Sequence, residues 1–396
     1  MLDLIIIKKN GEKQIALTSE EKLVEFYNEE KVDTRNEGNI FVGIVKDILD
    51  GMESAFVDIG TEKNSYIHLK DLLPKVDETK KVNNNNNKKT IREVVKKGDK
   101  ILVQVKKDSN QLKGARISTH ISLPSKYIVL MPNTDIVTIS QKIENKEEQK
   151  RLIKLVRENL ASNNGAVIRT SAEGKNDEII EDIKNVEETW KKIESDYKKI
   201  KVAEPQLIYK SQDIAQKMLI DLTDKKIGRI ISNNEKEIEK IKKFANNNKE
   251  FEKIKFEMKP LKDIEEIYDI DSQVEKIEKR KIWLKCGGFI TIDKTEALTA
   301  IDVNTGKCTE GKCLEDVIFK VNEQATIEIA KQLRVRDIGG IIIIDYIDML
   351  REGDKGKIEN LLKECLREDR TKTQVEGFTK LDLMELTRKH ICSHKN

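Results

Sequence analysis

The chain has 396 residues, enough for roughly two to four domains, and although 37% of them are charged the net charge is only +3. Any nucleic-acid footprint must therefore be a local patch, not a field over the whole surface. The longest apolar runs, 5–7 and 341–344, are far too short to span a bilayer, and Cys286, Cys308, Cys313, Cys365 and Cys392 form no CxxC pair, so a protein without a membrane span and with reduced thiols in the cytoplasm is expected.

Taken in order, 4–8, 14–17 and 23–27 alternate as strands around an Asn10-Gly11 turn, and three such strands need a partner segment to bury both faces. From 36 to 118, short alternating strands punctuated by Gly and Asp suit an OB-type β-barrel. Phe56 and Tyr66 fall on neighbouring strands of it, with Lys107 and Lys113 elsewhere in the same barrel. Aromatic faces stack single-stranded bases while Lys neutralises phosphate. Equally, Phe56 in AFVDIG fills the barrel interior if the alternation runs the other way. The polar stretch 75–90 reads as a solvated loop. Beyond it, 123–131 is strand-like, 147–160 helical, and 166–170 a short strand ending on Arg169-Thr170. In 177–201, Ile179, Ile183, Val186, Trp190, Ile193, Tyr197 and Ile200 step by four and three, a helical seam that packs within the fold or, alternatively, dimerises as a coiled coil. A helix over 214–222 and a strand over 227–231 follow.

The stretch 287–349 is the most informative. After Gly287-Gly288, 289–293 and 298–303 form a hairpin ending on Asp302 and Asn304. Glu315 and Asp316 open a helix with apolar residues every three or four positions, Arg334 and Arg336 lie near its end, and Gly339-Gly340 stops it. The run 341–344 is apolar throughout, as a central strand covered on both sides would be, and it ends on Asp345 with Asp348 just beyond. Singly, Asp302 and Asp345 read as caps of strand ends. Together, beside an amide able to orient one of them, they suit a hard divalent cation such as Mg²⁺, which takes one or two carboxylates and fills its other positions with water and phosphate oxygens.

LTAIDVNTGK, ATIEIAKQLRVR and DIGGIIIIDYIDM, in this order, resemble the catalytic part of the ribonuclease E/G family. The resemblance implies an α+β multidomain chain: a ribonuclease H-like subdomain (1–35 with 214–280), an inserted S1 domain of OB type (36–118), a 5′-sensor subdomain (119–213) and a DNase I-like α/β catalytic subdomain (281–396). It implies an Mg²⁺-dependent endoribonuclease that cuts single-stranded RNA, such as mRNA, rRNA or tRNA precursors, to 5′-phosphate and 3′-hydroxyl products. By the same resemblance Asp302 and Asp345 are the metal ligands and Asn304 positions a carboxylate. Phe56, Tyr66, Lys107 and Lys113 contact RNA, and Arg169 and Thr170, with the main chain at Val129, read a 5′-monophosphate that stimulates cleavage. Lys372 is placed near the scissile phosphate, although it reads equally as a solvated lysine. The CPxC zinc link and small C-terminal domain of longer members have no counterpart after Cys392, so zinc is not expected, and a homodimer is expected in place of a tetramer. The alternative is a non-catalytic S1-domain RNA-binding protein, in which the acidic pair is structural.

Overall fold

The structure, a computed structural model, describes residues 1–29, 36–72, 90–109, 113–201, 204–222, 227–245, 251–308, 311, 313–367 and 369–391. The polar loop expected over 75–90, apart from Thr90, and Cys392 lie outside them. The backbone divides into two units, Met1–Val32 with Lys225–Asn396, and Asp33–Asp224.

The first unit opens with an antiparallel meander of β1 (Leu2–Lys9), β2 (Glu12–Ser19) and β3 (Lys22–Glu29). Asn10 and Gly11 both take positive φ, 53° and 84°, as a two-residue hairpin turn matched to strand twist requires.

In the second unit, β4 (Ile40–Leu49), β5 (Ser54–Asp58), β6 (Ser65–His68), then a short helix α1 (Ile91–Val94), β7 (Lys100–Lys107) and β8 (Arg116–Ser118) build a closed five-stranded barrel. The strand order is β4-β5-β6-β8-β7, and β7 returns to β4. Val45, Ala55, Val57, Ile67, Val103 and Ile117 fill it. Gly43 is needed where the wall closes, since a Cβ there would sit 2.6 Å from Val57 Cγ1. A second sheet follows in the order β11-β12-β10-β9, from β9 (Leu123–Pro124), β10 (Ile128–Pro132), β11 (Val137–Ile139) and β12 (Asn164–Ile168). It packs against α2 (Lys146–Asn159) and α3 (Asp177–Lys199). Ile179, Ile183, Val186, Trp190 and Ile193 are buried with Leu152 and Val156 of α2 and Ile128 and Leu130 of β10, so the helical seam is spent inside the fold. β13 (Gln206–Tyr209) adds to β4, and α4 (Ile214–Asp221) follows.

Helix α2 is capped by Asn145, whose Oδ1 accepts from the N–H groups of Glu147 at 2.9 Å and Glu148 at 3.3 Å. Asn145→Ala is expected to cost about 1 kcal/mol, read as a lower urea midpoint with an unchanged slope.

The first unit resumes with β14 (Ile227–Ser232), α5 (Glu235–Ala245), β15 (Lys255–Met258), α6 (Leu261–Tyr268) and α7 (Ile270–Glu278). β14 lies parallel to both β1 and β15, completing a sheet of order β15-β14-β1-β2-β3. A six-stranded sheet of order β16-β17-β18-β19-β21-β20 comes last. Its members are β16 (Lys281–Trp283), β17 (Phe289–Lys294), β18 (Leu298–Asn304), β19 (Gly340–Asp345), β20 (Thr373–Phe378) and β21 (Leu383–Arg388). Only β18 and β19 pair in parallel, because α8 (Leu314–Val335) carries the chain back between them; α9 (Asp354–Arg367) follows β19. Ile290, Ile301, Ile342, Ile344 and Leu386 pack on Val321, Ala325, Ile329 and Leu333 of α8 and Ile358 and Leu362 of α9.

One expectation is corrected here. The run 341–344 is covered on one side only: Ile342 and Ile344 are buried, whereas Ile341 is 52% exposed and Ile343 half-buried. Both long helices lie on the same side, so the other face of the sheet stays open.

Candidate functional site

On that open face, Asp302 of β18 and Asp345 of β19 are register partners on adjacent parallel strands. Neighbouring strands stand about 4.8 Å apart and successive side chains alternate faces, so both carboxylates project side by side while Ile301 and Ile344 point into the core. Asn304, two residues on and on the same face, donates from Nδ2 to Asp302 Oδ2 at 2.6 Å, fixing that carboxylate's rotation. Partial burial first, then the nearby charges of Asp302 and Asp348, push the Asp345 carboxyl above the usual range. Such crowding of like charge is relieved by a cation. Among the described residues no set of three or more His, Cys, Asp or Glu is grouped to hold a metal. Two carboxylates alone suit a hard cation that keeps most of its coordination in water.

Sequence reasoning missed the groups that hold the turn after Asp345. Asn322 of α8 is buried, donates from Nδ2 to the Ile347 carbonyl at 2.8 Å and accepts from the Ile347 N–H at 3.1 Å. One turn on, the Thr326 hydroxyl meets the Tyr346 hydroxyl at 2.9 Å. Their signal in the sequence is a polar pair spaced by four on the apolar stripe of α8. Lys372 lies elsewhere. It directly precedes β20, whose Thr373 pairs with Arg388, which in turn pairs with Gly340 at the start of β19, five residues and roughly 17 Å along the strand from Asp345. The register therefore does not bring Lys372 to the carboxylates.

In the second unit, Phe56 is paired with Tyr66, Tyr66 with Arg116, and Arg116 with Lys107, one row across four barrel strands. Phe56 is 37% exposed while Ala55 and Val57 are buried, so its ring is on the outside of the barrel and not in its core. Tyr66 is half-buried, with its ring 5.7 Å edge-on from His68; Lys107 and Lys113 are exposed. Arg116 is the member that sequence reasoning missed. Its fork is held by Asp71, with Nε at 3.1 Å and Nη2 at 2.8 Å from Oδ2. Its alternation with buried Ala115 and Ile117 marks it as outward-facing.

Arg169 directly follows β12, and Thr170 stands exposed at the start of a single 3₁₀ turn. The Arg169 guanidinium donates to the Ser125 carbonyl at 2.8 Å and pairs with Asp221. Val129 sits on β10 opposite Val167, one residue from the Ile128–Ile168 pair at the end of the ladder that leads to Arg169. The loop carrying Ser125 is itself fixed by buried Asp182 of α3, which accepts from Ser125 Oγ at 2.5 Å and the Tyr127 N–H at 2.9 Å. Burial outweighs these bonds and holds the Asp182 carboxyl above its ordinary value. An acid on the apolar seam of α3, three residues after Ile179 and next to Ile183, was the sequence signal for it.

Cys286, Cys308, Cys313 and Cys365 are free thiols, and among the described residues no helix is long and apolar enough to cross a membrane. Residues 122–391 match the profile of the family described as "Ribonuclease E/G family". Over 98% of the chain and 79% of the relative, the sequence is 36% identical to ribonuclease G of Salmonella typhimurium and, over the same shares, 37% identical to ribonuclease G of Escherichia coli. It is also 31% identical to ribonuclease E of Nostoc sp., over 95% of the chain and 56% of that relative.

Proposed function

Because this chain belongs to the ribonuclease E/G family and is an endoribonuclease, we propose that it hydrolyses phosphodiester bonds of single-stranded RNA with Mg²⁺ held by Asp302 and Asp345. The observation that carries this reading is the register pairing of the two carboxylates on one open sheet face, with Asn304 fixing the first. Mg²⁺ held by Asp302 and Asp345 would supply Lewis-acid chemistry at the scissile phosphate. Asn304 holds the Asp302 carboxylate in one rotation, and Asn322 and Thr326 fix the segment that leaves the sheet after Asp345 and carries Asp348. The substrates are messenger, ribosomal or transfer RNA precursors, and the chain works in the cytoplasm.

We infer that Phe56 and Tyr66 stack RNA bases while Lys107 and Arg116, in the same row across the barrel strands, and the exposed Lys113 bind phosphates. The strand order β15-β14-β1-β2-β3, antiparallel through β1 to β3 and parallel through β14 and β15, supports a ribonuclease H-like first subdomain. The six-stranded sheet with its helices supports a DNase I-like catalytic part.

A 5′-monophosphate binds at Arg169 and Thr170 in this reading, with the main chain at Val129 alongside. An arginine carries five N–H donors, and Ser125 and Asp221 orient the fork without exhausting them. Incubating the protein with one RNA in 5′-monophosphate and 5′-hydroxyl forms, with Mg²⁺ or EDTA, tests both proposals. Faster Mg²⁺-dependent cutting of the monophosphate form is expected. Arg169→Gln, which forfeits roughly 1.5–3 kcal/mol of charge-assisted hydrogen bonding, is expected to abolish that preference while leaving the hydroxyl form cut at the wild-type rate. Equal cutting of both forms by the wild type removes the sensor and keeps the nuclease. Binding without cutting under every condition returns the chain to an RNA-binding role.

A further inference from the structure

The open face that carries Asp302 and Asp345 continues to the edge of its sheet. β16 pairs with β17 as Lys281 with Thr291 and Trp283 with Phe289, and β17 pairs with β18 as Thr291 with Asp302 and Phe289 with Asn304. Since side chains alternate along each strand, the partly buried Ile282 and buried Ile290 and Val303 face the core. Lys281, Trp283, Phe289 and Thr291 share the outer face with Asn304 and the two carboxylates. Phe289 is one strand and Trp283 two strands from Asn304, or about 5 and 10 Å. Trp283 and Phe289 meet edge-to-face, with centroids 5.3 Å apart and planes at 61°. The Lys281 ammonium lies 4.3 Å from the Trp283 centroid and 3.5 Å from that of Phe289. Trp283 remains 58% exposed.

We propose that Lys281, Trp283 and Phe289 form a stacking subsite for a base of single-stranded RNA close to the cleaved bond. This rests on the reading of Asp302 and Asp345 as the reacting centre. Three observations select RNA as the occupant. The aromatic pair is continuous with the residue that orients Asp302. A cation stands over both rings, within reach of the phosphate of a nucleotide whose base would lie on Trp283. The indole is also held edge-on by Phe289, which leaves it pre-oriented for a planar ligand. Recognition of this kind is sequence-tolerant, because every base has a π-face, with a modest preference for the bases that stack most strongly. A purine beside the cleaved bond is therefore favoured over a pyrimidine.

Tryptophan fluorescence reads the subsite directly. The other indole, Trp190, is 7% exposed in the core of the second unit and serves as an internal reference. Titrating the full chain with an adenine-rich single-stranded RNA in EDTA keeps the RNA intact, and quenching is expected. Trp283→Phe is expected to remove the quenching yet bind within about twofold of wild type, because an aromatic face is kept. Trp283→Ala is expected to raise Kd, and KM in the Mg²⁺ reaction, about tenfold with kcat retained, and Lys281→Gln to reduce the salt slope of binding by about one.

The subsite is overturned if Trp283→Ala binds and cuts as wild type does, or if the indole signal changes with protein concentration alone, which assigns this face to a second copy of the chain. A purely structural role is equally distinct: Trp283→Ala then lowers Tm with an unchanged Kd. Should Trp283→Ala fail to fold, loss of quenching in Trp283→Phe together with the Lys281→Gln salt slope decides. Failure of the wild type to cut with Mg²⁺ sinks the parent reading, whereas wild-type cutting with an unaffected Trp283→Ala sinks the subsite alone.

Discussion

Asp345→Asn is expected to lower kcat by roughly 10²- to 10³-fold while RNA binding persists, and Asp302→Asn to do the same. Asparagine keeps the size and removes the charge, so the loss isolates electrostatics from packing. Stability moves the other way. The folded environment already disfavours the Asp345 anion, first through burial and then through Asp302 and Asp348. Neutralising it removes that unfavourable term, and Tm is expected to hold or rise. A thermal melt beside the cleavage assay checks the pair of outcomes. Loss of activity accompanied by loss of fold, or unchanged activity in both variants, would remove the carboxylates from the chemistry. EDTA should reproduce the loss in wild type without altering the melt beyond the contribution of bound metal.

The second large effect is structural. Arg388 of β21 is 1% exposed on its side chain and donates from Nε to Asp369 at 2.7 Å and from Nη1 to Asp337 and the Ile338 carbonyl, each at 2.9 Å. It thus ties the exits of α8 and α9 to the six-stranded sheet. Arg388→Met removes the guanidinium shared by two buried carboxylates and is expected to cost about 3–5 kcal/mol, seen as a fall in the urea midpoint. The pH dependence follows. Burial pushes the Asp369 carboxyl up, but the Arg388 hydrogen bonds and charge outweigh it and hold it below the ordinary range. A depressed carboxylate contributes stability that is complete above its unfolded value of about 3.9 and is lost as pH falls through the folded one. Wild type should therefore lose stability on acidification below pH ~4, and Arg388→Met should show a shallower acid limb.

Much of the candidate site's geometry was legible because strands advertise themselves. Asp302 and Asp345 each follow an alternating or apolar run, and their register pairing needed only a parallel crossover between them. The four isoleucines before Asp345 misled, since a run apolar on both faces looks the same whether helices cover both sides or one. Ile341 shows that one side is open, and that openness is what leaves the carboxylates accessible. AFVDIG fixes the alternation but not its sign, so Phe56 needed the barrel itself to place it outside. The roles of Arg116, Asp182, Asn322 and Arg388 were missed for a common reason, even where alternation or an apolar stripe marked the residue itself. Each does its work across sequence separations of 19 to 57 residues, and no local pattern encodes such a partner.

The pairing of β1 with β14 also sets a schedule. Leu2 is registered with Ile227, and the Lys8 N–H bonds to Asn233 across a separation of 225 residues. Everything in the second unit is made between them. At roughly 5–20 residues per second of synthesis, the β1 edge emerges about 10–45 s before its partner strand exists. Through that interval Leu4, Ile5, Ile6 and Ile7 present an unpaired apolar edge, the kind of surface that chaperones hold and that other chains pair with. The barrel and its neighbouring sheet, whose strands lie within one continuous stretch, can close meanwhile. The first strands translated are among the last to be completed, so a chain stalled before residue 227 displays a finished barrel and its neighbouring sheet before the strands that bear Asp302 and Asp345 exist.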